Sequence, residues 1–140
     1  MISFKPTNDL TQAASFTLDN MRPYYAHYAV DWDQTQIEQM TRDLVNFDIV
    51  LQQYVVGVLR LSFYAEECWL RDLQVDRDYQ NRGIGAIALA EAVRLAKHNC
   101  CPILKLRVFN ISPAVNLYKR EGFAVINDDE RFCYMSRAIE

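Results

Sequence analysis

The sequence predicts a mixed α/β domain of the α+β kind. Its mostly antiparallel central sheet would have about seven strands with helices on both faces, in the order β-α-α-β-β-β-α-β-α-β-β. Three observations carry this expectation. Between Phe47 and Val75, three segments rich in β-branched and aromatic residues follow one another with only short turns, the pattern of an antiparallel meander. From Cys68 to Phe109 the chain reads strand, glycine turn, helix, strand, and that unit alone demands a parallel pair. The polar tetrad Asn127-Asp128-Asp129-Glu130 sits between two apolar segments and closes the chain as a hairpin.

Taken in order, Ile2 to Lys5 is a short strand, ended by Pro6 with Asn8 and Asp9 at a helix cap. Thr11 to Met21 reads helical. Arg22-Pro23-Tyr24-Tyr25-Ala26-His27-Tyr28 reads as an aromatic-rich break. Trp32, Ile37, Met40, Leu44 and Val45 then recur at helical spacing. Phe47 to Leu51 and Tyr54 to Tyr64 are strands joined only by Gln52-Gln53, a hairpin with unfavourable turn residues. In the second, Val55, Leu59, Leu61 and Phe63 alternate with Tyr54, Arg60, Ser62 and Tyr64, which predicts one buried face. Cys68 to Val75 is the third strand of the meander. The central helix starts at Ile84, is apolar on a wide face, and stops near Asn99 before Pro102. Ile103 to Phe109 is the next strand. Ser112-Pro113 and Gly122 bracket a short helix over Ala114 to Glu121. Phe123 to Ile126 and Phe132 to Ile139 form the closing hairpin.

At 140 residues the chain has room for one domain, expected over 1–140. Hydrophobic residues at 51% and charged residues at 24%, with four glycines and four prolines, exclude disordered and collagen-like classes. Cys68, Cys100, Cys101 and Cys133 form no CxxC pair and have only His27 and His98 as co-ligands, so neither a metal site nor a disulfide framework is expected. MISFKPTNDL has no basic segment leading into an apolar one, and no apolar run approaches the roughly 18 residues of a membrane helix. The expected compartment is the cytoplasm, with no membrane partner. The net charge of -3 hides a polarised distribution. Residues 1–50 carry Asp9, Asp19, Asp31, Asp33, Glu38, Asp43 and Asp48 against Lys5, Arg22 and Arg42, whereas residues 92–120 carry Arg94, Lys97, Lys105, Arg107, Lys119 and Arg120 with no acid. A pI near 5.4 argues against nucleic acid as a partner.

The chemistry centres on Val75 to Ala86, VDRDYQNRGIGA. A strand feeding a glycine-spaced turn into a helix start leaves backbone N–H groups unpaired at the positive end of the helix dipole, a cradle suited to phosphate. Gly83-Ile84-Gly85-Ala86-Ile87-Ala88 also fits the dinucleotide fingerprint GxGxxA, but the context disagrees. No acid lies between Glu91 and Glu121 to hold a ribose, the following strand ends in Asn110, and Asp76 to Arg82 separate the strand from the first glycine. A GxxxxGK[ST] loop is absent.

Gln80-Asn81-Arg82-Gly83-Ile84-Gly85 resembles the Q/R-x-x-G-x-G/A signature of the GNAT superfamily of N-acetyltransferases. Asn110-Ile111-Ser112-Pro113-Ala114-Val115-Asn116-Leu117-Tyr118, continuing to Gly122-Phe123, resembles the family's second motif. The element order is similar over nearly the whole chain.

The resemblance implies acetyl-CoA as acetyl donor and an amine as acceptor. The pyrophosphate would rest on the backbone of Arg82, Gly83, Ile84, Gly85 and Ala86, after Gln80 and Asn81. The pantetheine arm would run along Leu73, Gln74 and Val75, with Asn110 binding it from the neighbouring strand. The basic run 92–120 suits the 3′-phosphate end. Tyr118 would be the general acid that protonates the leaving thiolate, and the backbone N–H of Val75 the oxyanion donor.

Many members of the family carry glutamate where this chain has Arg71, so the base is open. Asp72 is the nearest carboxylate, facing away from Arg71 unless a bulge shifts the register, and it serves ion pairing as readily as catalysis. Solvent is the other route for the proton. The aromatic break with Tyr24, Tyr25, His27, Tyr28 and Trp32 resembles the segment that lines the family's acceptor pocket, where Asp31 and Asp33 could receive a cationic amine. Cys133, Tyr134 and Met135 are either an opposite wall or core. The acceptor is a small amine metabolite or a protein amine, and the family resemblance allows a homodimer. A non-catalytic acyl-CoA-binding or sensing module, and a Rossmann-like nucleotide binder, are the competing readings.

Overall fold

The computed structural model describes residues 1–140. The elements are β1 (Ile2–Pro6), α1 (Leu10–His27), α2 (Gln34–Thr41), β2 (Val45–Leu51), β3 (Tyr54–Tyr64), β4 (Glu67–Val75), α3 (Ile84–His98), β5 (Ile103–Phe109), α4 (Ala114–Arg120), β6 (Ala124–Asp128) and β7 (Phe132–Ala138). A single 3-10 turn, Arg77–Tyr79, lies between β4 and α3. The strands form one seven-stranded sheet in the order β1-β2-β3-β4-β5-β7-β6. Every pair is antiparallel except β4 with β5. This is the predicted mixed, mostly antiparallel architecture, and it rules out a doubly wound nucleotide-binding sheet, which is built from parallel strands.

Two details of the sheet place the site. The β4–β5 ladder runs only from Glu67 opposite Ile103 to Leu70 opposite Leu106, and beyond it the two strands part. At that point β4 carries a bulge. Arg60 faces Asp72 while Leu61 faces Leu70, so Arg71 is the extra residue. The bulge puts Arg71 and Asp72 on one side of the sheet. Arg71 bonds Ser62 and Asp72 bonds Arg60, and those partners alternate onto the same face of β3.

The helices cover both faces. Leu59, Leu61, Leu70, Leu104, Leu106 and Met135 pack against α3 through Ala88, Leu89, Ala92 and Ala96. Ala88, Ala92 and Ala96 are fully buried at four-residue spacing, a smooth stripe that lets the helix lie close on the sheet. A smaller cluster of Ala14, Tyr25, Ile37 and Phe109 joins α1 and α2 to the other face.

Four local expectations are corrected. The predicted break at Arg22 to Tyr28 is helix, because α1 continues through Pro23 to His27. Proline there removes only one bond, to the carbonyl of Asp19, and packing of Tyr24, Tyr25 and Tyr28 outweighs it. Trp32, Leu44 and Val45 are not on α2, which runs only from Gln34 to Thr41. The predicted one-sided strand Tyr54–Tyr64 is buried on both faces from Val56 to Leu61, since α1 covers one face and α3 the other. Asp33, expected as a receiver of a cationic amine, has a structural partner instead. It caps α2 in a reciprocal box with Gln36. The Gln52-Gln53 turn does form, with φ of 50° and 78°, the two positive values a tight primed turn requires.

Candidate active site

The parting of β4 and β5 opens a cleft of about 1630 Å³ bounded by α1, the start of α3 and α4. Its rim at the cradle begins with Gly83, which caps α3 at φ 81°, in the left-handed region that favours glycine. No side chain caps this helix, and its first hydrogen bond is donated by Ile87 to the Gly83 carbonyl at 3.2 Å. The N–H groups of Ile84, Gly85 and Ala86 therefore have no helical acceptor, and they gather at the positive end of a 15-residue helix. A Cβ added to Gly85 would meet Leu117 Cδ2 at 3.1 Å, so this glycine lets the first turn of α3 sit beside α4 and brings Tyr118 next to the cradle. Gln80 braces the turn from below, donating to the Val75 carbonyl at 3.0 Å. Arg82 lies over the Tyr79 ring at 5.2 Å.

Asp76 N–H donates to the Val56 carbonyl at 2.7 Å, which makes Val56 and Asp76 a hydrogen-bonded pair. By alternation, the N–H groups of Leu73 and Val75 point away from β3 into the opening, whereas the main chain of Gln74 is used by β3. The side chain of Gln74 is also engaged, with Asp72 and Asn20.

Tyr118 lines the cleft from α4 with 8% of its surface exposed, its ring edge-on to Phe123 at 5.8 Å. Its hydroxyl makes no hydrogen bond to the protein and is not among the sealed, unpartnered atoms, so it opens to the cleft. Burial pushes the phenol well above its ordinary range, and the Asp72 charge pushes it the same way. The phenol therefore keeps its proton through the ordinary tyrosine range.

Sequence reasoning missed the polar network behind this site. Arg60, with no solvent exposure, pairs through Nη1 with Asp72 Oδ2 and donates to Thr17 Oγ1 at 2.7 Å and, through Nε, to Asn46 Oδ1 at 2.7 Å. Thr17 Oγ1 donates to Asp72 Oδ2 at 2.6 Å and Gln74 Nε2 to Asp72 Oδ1 at 2.7 Å. Asn20 Nδ2 then reaches Gln74 Oε1 at 3.1 Å and the Val75 carbonyl at 2.8 Å. A chain of hydrogen bonds thereby runs from a buried arginine to the peptide of Val75. One signal was available: an arginine inside VVGVLRLSF must find an acid if that strand is core.

On the other side of the cleft stand Tyr24, Tyr25, Trp32, Phe109 and Phe132. Tyr25 meets Trp32 edge-on at 5.5 Å, and Tyr24 and Phe132 stack on Phe109 at 5.7 and 4.6 Å. Burial, helped by Asp72, raises the Tyr25 pKa to about 12. Tyr24, Tyr25 and Trp32 are thus gathered here, but His27 is not. It is exposed, edge-on to Tyr28 at 4.7 Å, and does not line the cleft. Asn110 also lies apart. Its carboxamide donates to the Asp129 carbonyl at 2.8 Å, tying β5 to the last hairpin turn. Cys133 and Met135 are core. The predicted basic run is split: Arg107 and Arg120 line the cleft, while Arg94 pairs with Glu91 and Lys105 with Glu67.

A glycine-started helix, a splayed parallel strand pair and a tyrosine thus meet along one cleft. The chain belongs to the acetyltransferase (GNAT) family, whose model matches residues 10–123. Solved structures with the same fold include a PaiA N-acetyltransferase of Thermoplasma acidophilum in complex with coenzyme A (18% identity, 99% of each chain covered, TM-score 0.73). The ribosomal-protein-S18-alanine N-acetyltransferase of Escherichia coli is another (18% identity, 100% of this chain and 95% of that one, TM-score 0.78). A third is a GNAT-family acetyltransferase of Staphylococcus aureus (17% identity, 100% of both chains, TM-score 0.79). Among curated proteins, none matches the sequence. No helix is long and apolar enough to cross a membrane.

Proposed function

We propose that the protein is an acetyl-CoA-dependent N-acetyltransferase that passes the acetyl group directly to a primary amine within a ternary complex. The observation that carries this reading is the alignment, along one cleft, of the unpaired N–H groups at the start of α3, the free N–H groups of Leu73 and Val75, and the unbonded hydroxyl of Tyr118.

The cradle from Arg82 to Ala86 receives the pyrophosphate, with Arg77 and Arg120 on the flanking elements to balance phosphate charge. Leu73 and Val75 bond the arm as an added strand would. The thioester supplies an activated acetyl carbonyl. When a neutral amine attacks it, the Val75 N–H donates to the developing oxyanion, held in place by Asn20 and Gln80 on the same residue's carbonyl. Tyr118 gives its proton to the departing thiolate. Asp72, already accepting from Arg60, Thr17 and Gln74, has its oxygens committed and acts as a positioning residue. The amine proton leaves to solvent, since an amine with a pKa near 10 is neutral often enough for turnover.

The test is thiol release measured with acetyl-CoA and a panel of amines. Release that depends on both substrates, and that gives the N-acetyl product, supports the reading. Acetyl-CoA binding without release for any amine would instead identify a non-catalytic acyl-CoA-binding module.

A further inference from the structure

Where the cleft runs past Asp72, its wall on β4, β5 and the last hairpin carries Arg71, Arg107 and Arg131. None of them is in an ion pair. The pairs in the molecule are Arg22 with Asp19, Arg60 with Asp72, Arg94 with Glu91 and Lys105 with Glu67. Arg71 is nonetheless held in place. Its Nε donates to Ser62 Oγ at 2.8 Å and its guanidinium lies 4.7 Å from the centre of Trp69, which leaves the terminal nitrogens free. Arg107 lies 4.1 Å over Phe132, and Arg131 5.9 Å over Tyr28.

No carboxylate forms an ion pair with any of the three. Of the two acids lining the cleft, Asp72 belongs to Arg60, and Glu121 follows α4, at the cradle end with Arg120, and forms no ion pair with Arg71 or Arg107. Asp129, held below the usual carboxylate range chiefly by the N–H groups of Phe132 and Arg131 and only lastly by the Arg107 charge, accepts from those two N–H groups and from the Tyr134 hydroxyl. Arg71 and Arg107 line the same cleft, and Arg71 is lowered from its ordinary value by burial first and by the Arg107 charge second. Two fixed, like-charged forks on an aromatic floor, without an anion of their own, form a receptor for one.

From this placement we infer that the acceptor is an amine that also carries a carboxylate, an amino-acid-like metabolite. Its carboxylate is gripped by Arg71 and Arg107, and its side chain rests on the aromatic wall of Tyr24, Phe109 and Phe132. The inference rests on the acetyltransferase reading above and adds the substrate class. A polyamine is excluded by the same charges, because its second ammonium would meet these arginines.

The experiment compares initial rates on matched sets of an amino acid, its carboxamide and its decarboxylated amine, with phenylalanine, leucine and alanine as parents and spermidine alongside. Acetyl-CoA binding is titrated separately. The acid is expected to be preferred over its amide in kcat/KM by about tenfold or more, the scale of a charge-assisted hydrogen bond. In Arg71→Gln and Arg107→Gln that preference is expected to collapse toward one. Equal or better use of the amide, the decarboxylated amine or spermidine overturns the inference. So does a preference that survives both substitutions, or acetyl-CoA binding with no acetylation of any amino acid. Failure to bind acetyl-CoA would remove the underlying acetyltransferase reading, and the inference with it.

Discussion

Arg60 and Asp72 face each other across the β3–β4 ladder and form an ion pair in which the guanidinium has no solvent exposure and the carboxylate side chain only 13%. Such a pair costs desolvation that its geometry must offset, and here Arg60 Nη2 is buried with no partner. Asp72→Asn is therefore expected to lower unfolding free energy by about 3–5 kcal/mol, the usual scale for stranding a buried charge. Urea denaturation measures this. Arg60→Met with Asp72→Leu should recover most of the loss. Because Asp72 is a positioning residue in this account, folded Asp72→Asn should keep the acidic limb of its kcat/KM profile. Loss of that limb would restore Asp72 as the base.

The free hydroxyl of Tyr118 leads to a second expectation. Tyr118→Phe should reduce kcat by about 10²-fold, the scale of losing a general acid. Acetyl-CoA affinity should persist, and so should thermal stability, since no protein hydrogen bond is lost. With the phenol raised above its ordinary value, wild-type kcat/KM should show no alkaline fall below about pH 10. A kcat equal to wild type would remove Tyr118 from the mechanism.

Tyr25 gives a stability prediction of defined sign. Its pKa is raised to about 12 by burial, then by Asp72. Below the ordinary tyrosine value of about 10 both folded and unfolded chains hold the proton, and no stability is lost. Between about pH 10 and 12 the unfolded chain ionises first, so stability falls with rising pH, by an amount on the order of 2 kcal/mol. Melting temperature followed from pH 8.5 to 11.5 should drop less steeply in Tyr25→Phe. Identical slopes would show that Tyr25 is not the group responsible.

What was legible in the sequence was local. The strand Tyr54–Tyr64, the strand Ile103–Phe109 and the start of α3 at Ile84 follow from alternation, β-branching and a glycine before an apolar helix. The cradle was legible for the same reason, because a helix start is defined within a few residues. The Arg60–Asp72–Thr17 network was not, since the register of β3 on β4 sets Arg60 opposite Asp72 and the packing of α1 on the sheet brings in Thr17, 55 residues from Asp72 in sequence. The bulge at Arg71 could be named only as a condition, because it depends on how two strands pair. The helix through Pro23 was hidden too. Tertiary contacts of Tyr24, Tyr25 and Tyr28 decide it against local propensity. Asn110 shows the reverse limit: its motif was readable, but its bond to Asp129 depends on the fold of the last hairpin.

The central claim is that the start of α3 binds the pyrophosphate of acetyl-CoA, and calorimetric titration of wild type and Gly83→Val with acetyl-CoA tests it most directly. A side chain at φ 81° strains the turn by about 1–2 kcal/mol and disorders the cradle. Wild type is expected to bind saturably and one-to-one and a folded Gly83→Val at least tenfold more weakly, with NAD and ATP failing to compete. Absence of saturable binding by wild type, or equal affinity in the two proteins, would contradict it.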